Sequence, residues 1–324
     1  MTAPLPFRLP TLTHKIYLVT GGNTGVGYYT VSQLAAHGAR VYLCARSAEK
    51  ARTAIAAIRN EHPDADVHFL EMDHLDLQSV VAAAKKFKSQ ETRLHGLVNN
   101  AGIMATPFAV SPADGFEAQW QTNYLAHWLL TWHLMDVLVD TARGESEDGG
   151  APPLPGSVRI VDVTSDGHTF APRVGIDFHD LKQERGSPFS RYGMSKLANI
   201  LHAKQLDKLF GPKGSETASS GRGPIWTAAV HPGHLDTNLN KQTTYPKVVY
   251  MVLKAFGVYS HPREGAYNSL FAVASSDFKE SDCGEYFVPG QKRKQASKLA
   301  QDMDLAQRLW DWTREEMARR KLLE

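Results

Sequence analysis

Short apolar runs alternate with longer stretches of helical periodicity along most of the chain. The apolar runs have the length of strands: KIYLVTGG, ARVYLCAR, DVHFLEMDHLD, LHGLVNNAG, VRIVDVTS and IWTAAVHPG. Helical spacing separates them in YYTVSQLAAHGA, SAEKARTAIAAIRNEH, QSVVAAAKKFKSQ, FEAQWQTNYLAHWLLTWHLMDVLVDTA and SRYGMSKLANILHAKQLDKLF. This alternation predicts an α/β fold with a parallel sheet that helices cover on both faces. Right-handed crossovers would make it a doubly wound sheet.

Two polar segments interrupt this alternation. Residues 142–157 and 211–224 are rich in Gly, Pro and polar residues, and each falls between a predicted helix and a predicted strand. We interpret them as surface loops inserted into one domain, because a long excursion there disturbs packing little. The chain is therefore predicted to be a single domain over 1–324.

The C-terminal segment, 291–324, has the pattern of an amphipathic helix and carries Trp310 and Trp312. Two interpretations stay open for this extension. It docks on the domain as an ordinary helix, or it binds a membrane surface or a partner protein.

Composition excludes several classes of function. The 324 residues are 42% hydrophobic and 22% charged, with a net charge of +2, so charge gives no reason to expect a nucleic-acid partner. Cys44 and Cys283 are far apart and indicate a reducing compartment, which we expect to be the cytoplasm. No apolar run reaches the roughly 18 residues that a membrane-spanning helix needs.

A glycine-rich loop, TGGNTGVG at 20–27, follows the first predicted strand and opens the first helix. Glycine lets a pyrophosphate lie against the backbone, where the N–H groups and the dipole of the helix favour an anion. The loop therefore predicts a dinucleotide site, although a plain glycine turn would have the same spacing. The contacting residues would be Gly21, Asn23, Thr24, Gly25, Val26 and Gly27.

The end of the second strand distinguishes the two nicotinamide dinucleotides. An acidic residue there would accept hydrogen bonds from the ribose of NAD, whereas an arginine suits the 2′-phosphate of NADP. The sequence is Cys44-Ala45-Arg46-Ser47, without an acid. It favours NADP, with Arg46 as the phosphate ligand. The alternative is that Arg46 is an ordinary surface arginine.

Tyr192 and Lys196 stand four residues apart on one face of a predicted helix. A free phenol, with a pKa near ~10, is a poor base at neutral pH. A neighbouring ammonium would lower that pKa, and Tyr192 could then act as an acid or base. Taken alone, such a pair is also what an exposed helix face displays.

The motifs and their order along the chain resemble those of the short-chain dehydrogenase/reductase family over roughly residues 13–290. The glycine loop is similar to TGxxxGxG, Asn99-Asn100-Ala101-Gly102 to NNAG, and Tyr192 with Lys196 to YxxxK. The resemblance implies a Rossmann fold and a catalytic set of four residues: Asn123, Ser165, Tyr192 and Lys196. It also implies further cofactor contacts from Asp73, Asn99, Ala101, Gly102, Tyr192, Lys196, Pro232, Gly233 and Thr237.

The roles of the four catalytic residues follow from the same resemblance. Tyr192 would exchange the proton, while Lys196 would lower the pKa of Tyr192 and hold the nicotinamide ribose. Ser165 would hydrogen-bond the substrate oxygen. Asn123 would hold a water that relays protons from Lys196.

Within the family, the pattern is most similar to the branch of retinol dehydrogenases and WW-domain oxidoreductases. That branch implies an NADP-dependent enzyme that interconverts a carbonyl and an alcohol, as a monomer or a homodimer. The branch and the loop insertions would suit a fungal enzyme of secondary metabolism. Thr164, Asp166 and His74 depart from the commoner family residues without removing a catalytic atom.

The substrate side rests on the segment 234–262, which contains the apolar and aromatic run VVYMVLKAFGVY. We predict that it forms a lid or wall for a lipophilic or aromatic substrate, with Met104 and Phe108 in the same cleft. The alternative is that this run packs in the core or against a second subunit.

Three other functions were weighed. A non-catalytic NADP sensor or scaffold could use the same fold, but such proteins often lose the tyrosine or the serine. Among the fourteen histidines, His127 with His133 and His231 with His234 invite a metal site. No HExxH and no cysteine cluster accompanies them, so no metal is expected. Ser165, Asp166 and His168 hint at a hydrolase triad without its GxSxG elbow.

Overall fold

The computed structural model describes residues 5–144, 154–220, 224–235 and 260–324. One sheet of eight strands runs through it. The strands are β1 (Ile16–Thr20), β2 (Arg40–Ala45), β3 (Asp66–Glu71), β4 (Gly96–Asn99), β5 (Arg159–Val163), β6 (Trp226–Val230), β7 (Glu285–Val288) and β8 (Lys292–Arg293). Their order is β3-β2-β1-β4-β5-β6-β7-β8, and every pair is parallel except the antiparallel β7 and β8.

The described helices connect these strands. They are α1 (Gly25–Ala36), α2 (Ala48–Glu61), α3 (Leu77–Gln90), α4 (Ala118–Trp120), α5 (Ala126–Arg143), α6 (Pro188–Phe210), α7 (Ser215–Ser220), α8 (Pro262–Ala274) and α9 (Met303–Arg319). One apolar cluster contains residues of α1, α2 and α8, and another contains residues of α3, α5, α6 and α9. Helices thus cover both faces of the sheet, and the predicted doubly wound α/β fold is confirmed.

All six strands predicted from the apolar runs are present, but β7 and α8 were not predicted. β7 has only four residues, EYFV, and lies between Gly284 and Pro289. It extends the sheet because its backbone pairs with β6, from Ala228↔Glu285 to Val230↔Phe287. That pairing is a long-range contact, and neither strand contains a local signal for it.

Two other boundaries differ from the predictions. The segment 211–224, predicted as a loop, contains the short helix α7. The long helix predicted from FEAQWQTNYLAHWLL is interrupted between α4 and α5. The five residues Gln121–Leu125 form one turn of π-helix, which we call the π turn. π turns interrupt α-helices frequently at functional sites, and this one carries Asn123.

The C-terminal extension is α-helical only from Met303 onwards, after a 3-10 turn at Leu299–Gln301, and it docks on the domain. α9 buries six residues: Leu305, Ala306, Leu309, Trp310, Thr313 and Met317. The indole of Trp310 stacks on the imidazole of His202 in α6, with ring centroids 6.1 Å apart. This helix therefore packs on the domain, as one of the two interpretations expected. Among the described helices, none is long and apolar enough to cross a membrane.

Candidate active site

The candidate site lies at the carboxyl edge of the sheet. The glycine loop follows β1, Arg46 follows β2, and the NNAG segment begins at the end of β4. Ser165 and His231 come just after β5 and β6. Ligands bind at this edge of open parallel sheets, so the fold brings together motifs that are far apart in the sequence.

Within the glycine loop, Gly27 lies so close to Gly21 and to Asn100 that no side chain fits at this position. A Cβ atom at Gly27 would lie 2.4 Å from the carbonyl oxygen of Gly21 and 2.6 Å from Nδ2 of Asn100. Gly21 and Gly25 have positive φ angles, +63° and +57°. The first N–H groups of α1 therefore meet a shallow backbone surface that fits a pyrophosphate.

Thr20, the last residue of β1, anchors the NNAG segment. Its Oγ1 accepts hydrogen bonds from the backbone N–H groups of Asn100 (2.8 Å) and Ala101 (2.9 Å). The side chain of Asn99 instead points into the core, where Nδ2 donates to Oδ1 of Asp162 at 2.8 Å. Any contact of Asn99 with a cofactor would therefore have to come from its backbone.

Arg46 and Asp73 flank the loop at the ends of β2 and β3. Arg46 is exposed directly after β2. Asp73 is half-buried, and its Oδ1 accepts a hydrogen bond from the N–H of Leu75 at 2.9 Å. Both charges therefore remain on the side of the sheet where the adenosine half of a dinucleotide would lie.

The side chains of Tyr192, Ser165 and Lys196 meet behind the NNAG segment. The side chains of Tyr192 and Ser165 both lie next to Gly167, where an added Cβ would be 2.8 Å from Cε1 of Tyr192 and 3.3 Å from Oγ of Ser165. The ammonium of Lys196 lies 5.9 Å from the ring centroid of Tyr192 and donates to the carbonyl of Val163 at 2.9 Å. A serine, a phenol and an amine thus converge at one point, as a proton-transfer site requires.

Burial dominates the ionisation of this group. It raises the pKa of Tyr192 to about 12, and the neighbouring Ser165 lowers that pKa only in part. Burial lowers the pKa of Lys196 to about 8, against the attraction of Asp162. In this structure the pKa of Tyr192 is raised and not lowered, because burial is the largest cause and Lys196 is not among the groups that shift it. The role of Lys196 stays a prediction. The phenol keeps its proton at neutral pH.

Asn123 is fully buried in the π turn and joins three segments. Its Oδ1 accepts from the N–H of Ile103 at 2.9 Å, and its Nδ2 donates to the carbonyl of Ile103 at 3.0 Å. The same Nδ2 lies 2.9 Å from Oγ of Ser195 in α6. A Cβ at Gly102 would lie 3.1 Å from Oδ1 of Asn123 and 3.5 Å from Nζ of Lys196, so Gly102 packs directly against both side chains.

The segment after β6 is described only in part. His231 is buried, and Gly233 has a φ of +93°. Thr237 and the greater part of the predicted lid lie outside the described residues. The two ends of that segment meet, because Leu235 forms a parallel bridge with Ser260.

The hydrolase alternative is not supported by the geometry of His168. Its Nδ1 donates to the backbone carbonyl of Ser165 at 2.7 Å, and its Nε2 accepts from the N–H of Ser297 at 3.2 Å. Both ring nitrogens are therefore engaged by the backbone, and neither can take a proton from Oγ of Ser165.

One group of potential metal ligands stands beside Ser165. Ligand atoms of Asp166, His231 and His234 lie within 4.8 Å of one another. The N–H of Gly233 approaches Nδ1 of His231 at 3.4 Å, which favours the tautomer whose Nε2 carries the proton towards Asp166. That tautomer does not ligate a metal through Nε2, and the absence of a metal site stays a prediction.

Sequence reasoning missed a buried ion pair beside the tyrosine. Nε of Arg191 lies 3.4 Å from Oε1 of Glu117, and the two side chains are 2% and 1% exposed. Nη1 of Arg191 also donates to the carbonyl of Gly186 at 2.6 Å. The signal available was an arginine next to Tyr192 within an otherwise apolar helix face.

Comparison with known proteins agrees with this geometry. The family described as short chain dehydrogenase matches residues 15–146. The short-chain dehydrogenase/reductase drtF of Aspergillus calidoustus is 68% identical over 100% of both chains. Human retinol dehydrogenase 12 is 34% identical over 93% of this chain and 85% of its own length.

Solved structures share the fold. A crystal structure of an uncharacterized protein from Mycobacterium paratuberculosis has a TM-score of 0.70 and 28% identity, covering 95% of this chain and 94% of that one. The NADP complex of RhlG from Pseudomonas aeruginosa has a TM-score of 0.62 and 22% identity, covering 86% and 95%.

A Rossmann-type sheet with a glycine cradle beside a Ser-Tyr-Lys group is the arrangement found in a class of nicotinamide-dependent oxidoreductases. Because of its similarity to these proteins, the chain belongs to the short-chain dehydrogenase/reductase family, and its relatives include retinol dehydrogenases.

Proposed function

We propose that this protein is an NADP-dependent enzyme that interconverts a carbonyl and an alcohol on a lipophilic or aromatic small molecule. The observation that carries the proposal is the position of Tyr192 next to Ser165 and Lys196, beside a cradle where only glycine fits. When bound, the nicotinamide supplies or accepts the hydride. Localisation in the cytoplasm, a monomeric or homodimeric state and a place in secondary metabolism remain part of this proposal.

The protein's own residues handle the proton and the substrate oxygen. Tyr192, which is protonated at neutral pH, gives its proton to the oxygen of a carbonyl as that oxygen becomes an alcohol. Ser165 lies beside the phenol and orients the same oxygen. Lys196 and Asn123 line the base of the site. A phenol with a raised pKa favours reduction over oxidation at neutral pH, because oxidation requires the phenolate.

Specificity for NADP rests on Arg46. The exposed guanidinium follows β2, and no acid occurs between Cys44 and Ser47. A guanidinium forms strong charged hydrogen bonds with phosphate oxygens. The NADP complex of RhlG supports the fold's capacity for this cofactor.

The lipophilic character of the substrate is supported by exposed apolar side chains in the segments that follow Ser165 and precede Tyr192. Phe170 is 59% exposed, and its ring meets that of Phe189 at 6.1 Å. Val174, nearby in the chain, is 64% exposed. Such exposed apolar side chains beside a reactive group favour an apolar ligand. Retinol, for which the retinol dehydrogenases are named, is itself a lipophilic alcohol.

The test has a binding arm and a turnover arm. NADPH and NADH are titrated into wild type and Arg46→Ala, and transfer of fluorescence from the tryptophans is followed. We expect Arg46→Ala to weaken NADPH binding about tenfold or more and to leave NADH binding unchanged. Equal binding of both cofactors to wild type would show that Arg46 is only a surface residue.

The turnover arm measures NADPH consumption with lipophilic ketones, aldehydes and quinones. Tyr192→Phe should lower kcat by about 10²–10⁴-fold without weakening NADPH binding. Tyr267→Phe, which removes a hydroxyl on α8, is the matched control and should behave as wild type. Cofactor binding without turnover over this panel would favour the sensor or scaffold alternative.

A further inference from the structure

His127 occupies a position that the proposed roles of the active-site residues do not use. Its imidazole is 2% exposed on α5, one turn after Asn123. One ring nitrogen, Nδ1, lies 2.9 Å from the backbone carbonyl of Asn123. The other, Nε2, lies 2.8 Å from Oγ1 of Thr20. The ring therefore bridges the π turn of the active site and the strand that precedes the glycine loop.

The hydrogens of this bridge can be assigned from its neighbours. A carbonyl only accepts, so Nδ1 of His127 donates to Asn123. Thr20 Oγ1 already accepts two backbone N–H groups, those of Asn100 and Ala101. Its one proton therefore points to Nε2 of His127, which is closer than the alternative acceptor, the carbonyl of Val98 at 3.4 Å.

This assignment requires a neutral imidazole, because Nε2 must have a free lone pair. Burial lowers the pKa of His127 well below its ordinary value, and His74 opposes protonation as well. The ring of His74 meets it edge to face, with centroids 5.0 Å apart. The tautomer is thus fixed as Nδ1–H by its partners on both sides.

The same direction of donation continues to the catalytic tyrosine. Nδ2 of Asn123 donates to Oγ of Ser195 at 2.9 Å, and Oγ of Ser195 donates to the backbone carbonyl of Tyr192 at 2.7 Å. Ser195 is fully buried. Each residue donates to the next one from Thr20 to Tyr192: the bond from His127 ends on the backbone carbonyl of Asn123, and the following bond starts at the side chain of Asn123.

We propose that His127, as the neutral Nδ1–H tautomer, is a positioning residue that ties the nucleotide loop to the backbone of Tyr192 through Asn123 and Ser195. Its effect on turnover rests on the proposed function. The Thr20 end would align the loop after β1 with the NNAG segment, where the cofactor binds. The Asn123 end would hold the π turn and α6 in the register that proton transfer needs.

Two conservative variants separate the two ends of the bridge. The amide of His127→Asn can place an N–H near the position of Nδ1, so it keeps the bond to Asn123 and loses the one to Thr20. The longer His127→Gln can place an oxygen near Nε2, so it keeps the acceptor for Thr20 and loses the donor to Asn123. We expect His127→Asn to weaken NADPH binding about tenfold with little change in kcat. We expect His127→Gln to lower kcat about tenfold with little change in NADPH binding.

The control is His133→Gln, on the same helix. His133 is also buried, and its Nε2 lies 2.7 Å from the carbonyl of Leu322, away from the site. This variant should change neither NADPH affinity nor kcat. Equal effects of His127→Asn and His127→Gln on both parameters would reduce His127 to a packing residue and overturn the proposal.

The tautomer is measured independently of turnover. In ¹⁵N NMR of the wild-type protein, His127 should show a protonated Nδ1 and an unprotonated Nε2 at neutral pH. A protonated Nε2 would break the direction of the chain and overturn the inference. If wild type turns over no substrate, the proposed function fails, while NADPH affinity and the tautomer still test the bridge.

Discussion

Arg191, the residue before Tyr192, forms a buried ion pair with Glu117, with Nε and Oε1 3.4 Å apart. Burial raises the pKa of Glu117 even though Arg191 opposes the shift. The carboxylate also accepts the N–H of Trp120 at 2.7 Å, at the start of the helical segment that carries Asn123. The pair therefore connects the two segments that carry Asn123 and Tyr192.

Glu117→Gln should destabilise the protein strongly, because it leaves the guanidinium of Arg191 buried without a counter-charge. We expect a loss of about 3 kcal/mol in the free energy of unfolding by urea, together with a fall in kcat. Asp136→Asn is the control, since Asp136 is 60% exposed and pairs with Lys88 at 2.9 Å. It should cost about 0.5 kcal/mol. Similar losses for the two variants would contradict the structural role of the pair.

Gly27→Ala should abolish dinucleotide binding, because its Cβ would lie 2.4 Å from the carbonyl oxygen of Gly21. The measurement is calorimetric titration with NADPH. Gly115→Ala is the control: Gly115 has a φ of +75° and nothing within 4 Å of the added Cβ. It should lose about 1 kcal/mol of stability through strain and keep its NADPH affinity. Unchanged affinity in Gly27→Ala would mean that the loop does not hold the cofactor.

Lys196→Met should inactivate the enzyme and stabilise its fold at neutral pH. Folding lowers the pKa of Lys196 from 10.5 to about 8. The unfolded chain therefore binds more protons between pH 8 and 10.5, and wild-type stability gains from this group as pH rises through that window. Below about pH 8 the full penalty of burying the ammonium remains, and the variant avoids it.

The difference in unfolding free energy between Lys196→Met and wild type should be about 2 kcal/mol at pH 7, after loss of the hydrogen bond to Val163. It should shrink towards pH 10.5. Lys213→Met, at an exposed position, should show no such trend. A variant less stable than wild type at pH 7 would show that the hydrogen bond outweighs desolvation.

Asp166→Asn should shift alcohol oxidation to lower pH. The carboxylate of Asp166 contributes to the raised pKa of Tyr192, after the larger effect of burial. Removing the negative charge lowers that pKa, so the phenolate needed for oxidation forms at a lower pH. We expect the ascending limb of the pH profile of kcat for oxidation to move to lower pH by less than about one unit. Glu184→Gln, at an exposed acid nearby in the chain, should leave the profile in place.

Much of the fold and of the candidate site was determined by the sequence alone. Apolar runs of strand length alternate with helical periods, and each pattern reflects the local geometry of its backbone. The glycine loop and the spacing of Tyr192 and Lys196 are likewise local features, which a reader of the sequence can recognise without knowing the fold. The six strands, the site at their carboxyl edge and the family follow from these features.

The tertiary structure decided what depends on burial and on contacts between distant residues. It showed that desolvation raises the pKa of Tyr192, which the spacing to Lys196 had predicted to fall. It also formed β7 by pairing with β6 and brought His127 within 2.8 Å of Thr20, 107 positions away. Such effects depend on how many other groups surround a side chain, and that number is not encoded in any short stretch of sequence.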